Sequence, residues 1–196
     1  MTDPSVHAGA AQFEKAQQAF AACDAGDPSG ETSAYHAAVG RWVLALEPQA
    51  ALVVQLAALG QHIERWTVPR SDYPLGRVGY RQWRSTLSQL HGRRCAEILR
   101  GVGYDEATAQ RVAELVTKKR LRSDPEAGLL QDAVCLTFVE RQLASFAEGR
   151  DPAQVSTILA KTWGKMTVRG QDAARDLAGV LPESVQALFA AALAED

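Results

Sequence analysis

The sequence predicts an all-α protein, and three observations carry that expectation. Apolar residues recur at three- and four-residue spacing almost throughout, the period of a helix with one buried face. Gly, Pro and Asp punctuate the chain at helix-length intervals. No stretch alternates with the period of two that a half-buried strand requires. A chain of 196 residues with a hydrophobic fraction of 46% is long enough and apolar enough for one sizeable core. The expected organisation is a single-domain bundle over residues 1–196, its core at about 31–147, with the helices of 151–196 packed on it.

The elements follow in order. The first helix spans about residues 10–24 and ends in the loop from Asp24 to Gly30, which contains Gly26 and Pro28. A second runs from Glu31 to Glu47 and stops at Pro48. A third, very apolar, is expected from Gln49 to Trp66. After an irregular stretch comes a long fourth helix from Tyr80 to Arg100, closed by Gly101-Val102-Gly103. Asp105 is the N-cap of a fifth, reaching Lys119. Asp124-Pro125 opens a sixth that extends to Ala147, and Asp151-Pro152 repeats the signal for a seventh reaching Trp163. Pro182-Glu183-Ser184 opens the last, to Ala194.

Composition narrows the function classes. A formal net charge of −2 excludes nucleic-acid binding driven by overall charge, while leaving room for a local basic patch. The amino terminus lacks the basic and apolar regions of a signal peptide, and no apolar run is long enough to span a membrane. Cys23, Cys95 and Cys135 show no CxxC spacing, which fits reduced cysteines of a cytoplasmic protein. A P-loop and a GxSxG elbow are both missing.

Four polar residues stand on apolar helix faces. His36 has Val39, Gly40 and Val43 at helical spacing, and His62 has Ala58, Leu59 and Trp66. His91 lies between Leu87, Cys95 and Ile98. Asp132 has Leu129, Cys135, Leu136 and Val139 around it, a face on which an ionised carboxylate needs a hydrogen bond, an arginine or a metal. Each histidine alone is more often a hydrogen-bonded core residue than a ligand. Together, His36, His62, His91 and Asp132 form a candidate divalent-metal site of the kind that bundle cores build from imidazole and carboxylate.

Gly60 to Arg84 is the most unusual stretch, carrying arginines, aromatics, two prolines and two glycines beyond the first. Arg65, Arg70, Arg77, Arg81 and Arg84 are candidate phosphate ligands, because guanidinium forks match oxyanions. Trp66, Tyr73, Tyr80 and Trp83 are candidate stacking surfaces for a base. Lys161 and Lys165, flanking Trp163, make a second basic–aromatic patch.

The order of these residues resembles the HD-domain metal-dependent phosphohydrolases. Tyr35-His36-Ala37-Ala38-Val39 looks like that superfamily's first His, and the run Ala57 to His62 like the one ending in its His-Asp pair. Asp132 within Leu130-Gln131-Asp132-Ala133-Val134 looks like the final Asp, with His91 and Lys118 where further site residues occur. Ile63 stands where the paired aspartate belongs, which leaves one metal, or a metal-free relic, in place of a two-metal centre. More closely, the chain resembles a bacterial and fungal family, domain of unknown function 4202. The matching stretches include Gln61 to Trp66, Pro69-Arg70, Tyr73-Pro74, Arg77 to Tyr80, Trp83-Arg84, Gln131 to Leu136 and Lys161 to Met166. That family brings no established activity.

These readings give three expectations. The first is an HD-like phosphohydrolase acting on a nucleotide-like or other phosphorylated small molecule. His36, His62, His91 and Asp132 would hold one divalent ion and Arg70, Arg77, Arg81 and Lys118 would hold phosphate. The second is a non-catalytic HD-like pocket that senses an anionic metabolite. The third is an RNA- or protein-binding surface of arginines and aromatics.

Overall fold

The computed structural model describes residues 4–121 and 123–193, and over them the chain is all-α, with no strand. The helices are α1 Pro4–Asp24, α2 Thr32–Leu46, α3 Leu52–Leu59, α4 Gly76–Gly101, α5 Glu106–Val116, α6 Pro125–Arg141, α7 Leu143–Ala147, α8 Pro152–Trp163, α9 Val168–Ala178 and α10 Glu183–Leu193. Single 3₁₀ turns at Arg65–Thr67 and Arg70–Asp72 bridge α3 and α4. The end expected at Ala194 lies outside the described residues.

Three starts read from the sequence are built as capped helices. Asp105 accepts the Thr108 N–H, Asp124 those of Glu126 and Ala127, and Asp151 that of Ala153, each satisfying donors that a helix start leaves open. Pro125 and Pro152 occupy the first turn, where a missing N–H costs nothing.

Three elements differ from the expectation. Helix α3 stops at Leu59, so His62 sits in a turn and not on the third helix. His62 (φ 63°) and Glu64 (φ 51°) are left-handed, a backbone that cannot continue a right-handed helix. The sixth helix breaks at Gln142, whose φ of −118° separates α6 from α7. Thr167 starts an unexpected helix, α9, by accepting the Gly170 N–H.

The chain folds into two compact units, residues 1–37 with 51–120, and residues 38–50 with 121–196. In the first, α4 packs on α5, α3 on α5, and α1 on both α3 and α4. Phe20, Leu56, Ile63, Leu99, Val112 and Leu115 are fully or almost fully buried there. Gly79, in the first turns of α4, lies against the Pro74 backbone, and a Cβ would fall 1.9 Å from the Pro74 oxygen. That contact sets how the arginine-rich stretch turns into α4.

In the second unit α6 packs on α9, and α10 on α7, α8 and α9. Leu136, Val139, Leu143, Leu159, Trp163 and Phe189 centre its core. Arg41 and Trp42 both donate to the Glu140 carboxylate, tying residues 38–50 to α6.

Two glycines of α4 should respond in opposite directions. Gly79→Ala pushes a methyl into backbone and should cost about 1–3 kcal/mol. Gly101→Ala, with nothing within 4 Å, should gain about 0.5–1 kcal/mol from lower unfolded-chain entropy and better helix propensity. Urea melts of both variants check this; equal stabilities would contradict it.

Candidate functional site

Just past the end of α3, the carbonyls of the turn at residues 60–63 lie outside the helix ladder and call for partners. Side chains from other elements provide them. The Cys95 thiol of α4 reaches the Gly60 oxygen at 3.6 Å. His36 Nε2 of α2 donates to the Gln61 oxygen at 2.5 Å, and His91 Nδ1 of α4 donates to the Ile63 oxygen at 2.7 Å. Two buried histidines thus grip the backbone on either side of His62, and the turn presents the His62 ring between them. That ring stacks on Tyr35, centroids 5.4 Å apart, and stands 5.8 Å from the His91 ring.

The three imidazoles have different states. His36 Nδ1 also bonds Asp24 Oδ2, at 2.9 Å. Both ring nitrogens of His36 are therefore engaged by oxygen partners. His91 is the reverse case. Its Nδ1 hydrogen is committed to a carbonyl, and its Nε2 is buried without a hydrogen-bond partner. Burial pushes His91 down to about 4, against the partial support of its bond to Ile63. His62 lies well below its ordinary 6.5, first through burial and then through the charges of Lys118, Arg65 and other neighbours.

His62 and His91 line a recess of about 250 Å³ together with Gln61, Arg65, Arg84, Ser85, Leu87, Ser88, Val116, Thr117 and Lys118. Helix α4 contributes Arg84, Ser88 and His91 along one stripe, spaced four and three residues apart. Lys118 enters from the turn after α5 in a left-handed conformation, φ 59°. Non-glycine residues there carry strain, and two wall residues share it. Three of the wall residues are cations and none is Asp or Glu. The acid nearest in sequence, Glu64, is turned to Arg94, which donates to it at 2.8 and 2.9 Å. Burial first, and Arg84 second, lower Arg65 from its usual value, yet a guanidinium keeps its charge in proteins.

Arg65 also faces a second cavity, of about 400 Å³, lined by residues that include Asp27, Thr32, Trp66, Pro69, Arg70 and Trp83. Its guanidinium lies over the Trp83 ring, 4.7 Å from the centroid. Trp83 is buried and donates its indole N–H to the Val68 oxygen at 2.9 Å, so it braces the loop. Arg70 binds its own loop, donating to the Tyr73 and Pro74 oxygens. Arg77, Arg81 and Tyr80 are exposed, and neither they nor Tyr73 line either cavity.

The remaining candidates belong to the second unit. Asp132 accepts the Thr167 backbone N–H at 2.8 Å and the Thr167 hydroxyl at 2.5 Å, at the start of α9. Positive partial charge at a helix start suits a buried carboxylate. Gly170 leaves room for it, since a Cβ there would come within 2.5 Å of Asp132 Oδ1. Lys161 and Lys165 are exposed, while Trp163 is buried against Phe189 and under Arg175. The donor set does not fit a divalent ion held by several protein ligands. Both ring nitrogens of His36 are hydrogen-bonded, Asp132 is bonded to Thr167, and among the described residues no group of three or more His, Cys, Asp or Glu is placed to hold a metal.

Sequence reasoning passed over Ser85, Ser88 and Thr117. The stripe Arg84-Ser88-His91 was the available signal, since helical spacing alone puts those three on one face.

Acid should weaken the fold through these histidines. The unfolded chain takes up protons near 6.5, whereas folded His91 does so at about 4, so unfolding gains protons between the two values. Stability should be full above about pH 6.5 and fall toward pH 4, His91 contributing on the order of 3 kcal/mol at most. Urea midpoints across that range check the sign, and His91→Asn should flatten the slope. A pH-independent midpoint would contradict it.

No helix among the described residues is long and apolar enough to cross a membrane. No curated protein and no solved structure matches the chain. The family described as a domain of unknown function (DUF4202) matches residues 14–189, which include the histidine-gripped turn, the recess and the Asp132–Thr167 contact. Since that match spans nearly all of both units, the chain belongs to the DUF4202 family.

Proposed function

We propose that the chain is a binding or sensing protein for a small anionic molecule, whose phosphoryl or similar oxyanion head enters the recess of the first unit. One observation carries this: Arg65, Arg84 and Lys118 share a wall with two weakly basic imidazoles and no carboxylate. Such a wall concentrates positive potential in the recess. At about 250 Å³ the recess lies just below the roughly 300–1,000 Å³ of whole-ligand pockets, so it suits a head group with the rest of the molecule outside.

Kinship to the HD-domain superfamily is part of the proposal. It is supported by the order of His36 and His62, and by the bond that sets His36 against the residue before His62. Ile63 in place of the paired aspartate, and the Glu64–Arg94 pair, take acidity out of that region.

Isothermal titration with inorganic phosphate and with a panel of phosphate esters tests the proposal. Arg84→Ala and Lys118→Gly should each weaken binding about tenfold or more, as loss of a charge-assisted hydrogen bond does. Glycine keeps the left-handed backbone at position 118, so that variant separates the charge from the turn. Wild-type affinity in both variants would sink the proposal. Addition of Mn²⁺ or Zn²⁺ should leave ester hydrolysis at background; metal-dependent turnover lost in His62→Ala would favour the hydrolase instead.

A further inference from the structure

We propose that the ligand carries a chain of phosphoryl groups, a diphosphate or triphosphate either free or esterified. Its end enters the recess, and its other phosphates lie outside along Arg81 and Arg77 of α4. This rests on the anion-binding proposal above and adds an outer set of contacts to it.

The geometry is that of one helix face. Arg77, Arg84 and His91 are spaced seven apart, two turns each, and Arg81 and Ser88 fall between them at helical spacing. Burial is graded along this face: His91 is buried, Ser88 half-buried, and Arg84, Arg81 and Arg77 exposed. The face therefore runs from the wall of the recess, where His91, Ser88 and Arg84 stand, out onto the surface. At about 1.5 Å of rise per residue, Arg81 lies about 4.5 Å and Arg77 about 10.5 Å beyond Arg84 along the axis. Long guanidinium side chains cover such steps, and a phosphoryl chain offers each of them an oxyanion.

A lack of acid separates these arginines from others on the same helix. Arg93 and Arg94 pair with Glu97, Arg94 also with Glu64, and Arg100 with Glu106. Arg77, Arg81 and Arg84 make no ion pair or hydrogen bond among the described residues, and no Asp or Glu occurs from Tyr73 to Ala96. Stability does not account for cations at the start of α4. A helix start favours acids, yet the first turn holds none and Leu75 supplies no side-chain cap. A bound anion offsets both the open N–H groups and the unfavourably placed arginines. A recess that admits only a head group suits the end of a phosphate chain, whereas a nucleic-acid strand would lie across it.

Isothermal titration with orthophosphate and tripolyphosphate at matched ionic strength reads the outer contacts as a ratio of affinities. In the wild-type protein tripolyphosphate should bind about tenfold tighter or more. In the double variant Arg77→Ala, Arg81→Ala that ratio should fall at least about fivefold. Arg93→Ala controls for charge alone: nine residues from Arg84, it lies on the opposite side of α4, and the wild-type ratio should hold. All three substituted residues are exposed, so the variants remove charge without opening the core. Equal wild-type affinities, a ratio that survives in the double variant, or an equal fall in Arg93→Ala would overturn the inference and leave the anion site standing. An unphosphorylated RNA oligonucleotide binding more tightly than tripolyphosphate would overturn it in favour of a nucleic-acid surface. Failure of both anions to bind would overturn the anion proposal and this inference with it.

Discussion

Everything in the first unit that bears on function depends on how α3 is stopped. In the turn that follows it, the carbonyls of Gly60, Gln61 and Ile63 are taken by Cys95, His36 and His91. These bonds come from α2 and α4, so tertiary contacts brace a turn that its own backbone bonds, such as Gly60 N–H to the Ala57 oxygen, begin. They also determine which imidazole does what. His36 is held at both nitrogens, His91 at one, and His62 is delivered into the recess on a left-handed backbone. A single demand, satisfaction of backbone acceptors, thus yields a braced core and sets two imidazoles in the wall of one recess.

The electrostatics follow from the same geometry. Glu64, one residue beyond the gripped turn, is drawn to Arg94 and is not part of the recess wall. Burial keeps the two recess imidazoles neutral near pH 7, and the nearby cations reinforce that state. The result is a recess whose wall combines cations with neutral imidazoles.

Much of this was legible in the sequence because it is locally encoded. Asp-Pro starts, the N-cap at Asp105 and the glycine close of α4 are short-range signals, and the helices obey them. His62, His91, Arg65, Arg84 and Lys118 stood out as residues of unusual type on apolar or irregular stretches, and the structure brings those five to one recess. What could not be read was set at a distance. The apolar run from Gln49 to Trp66 has helical spacing, and only side chains from residues 36, 91 and 95 reveal that its end is unwound. Asp132 was conspicuous as a buried carboxylate, but its partner, Thr167, lies 35 residues away at the start of a helix with no strong opening signal.

The central claim is that the recess binds an oxyanion beside a neutral His91 whose hydrogen is on Nδ1. Nitrogen-15 NMR of the histidine rings tests it most directly. At about pH 7 the His91 signals should be those of the neutral Nδ1–H form, and added phosphate should shift the His62 and His91 resonances. An imidazolium, an Nε2–H tautomer, or histidine signals indifferent to phosphate would contradict the account.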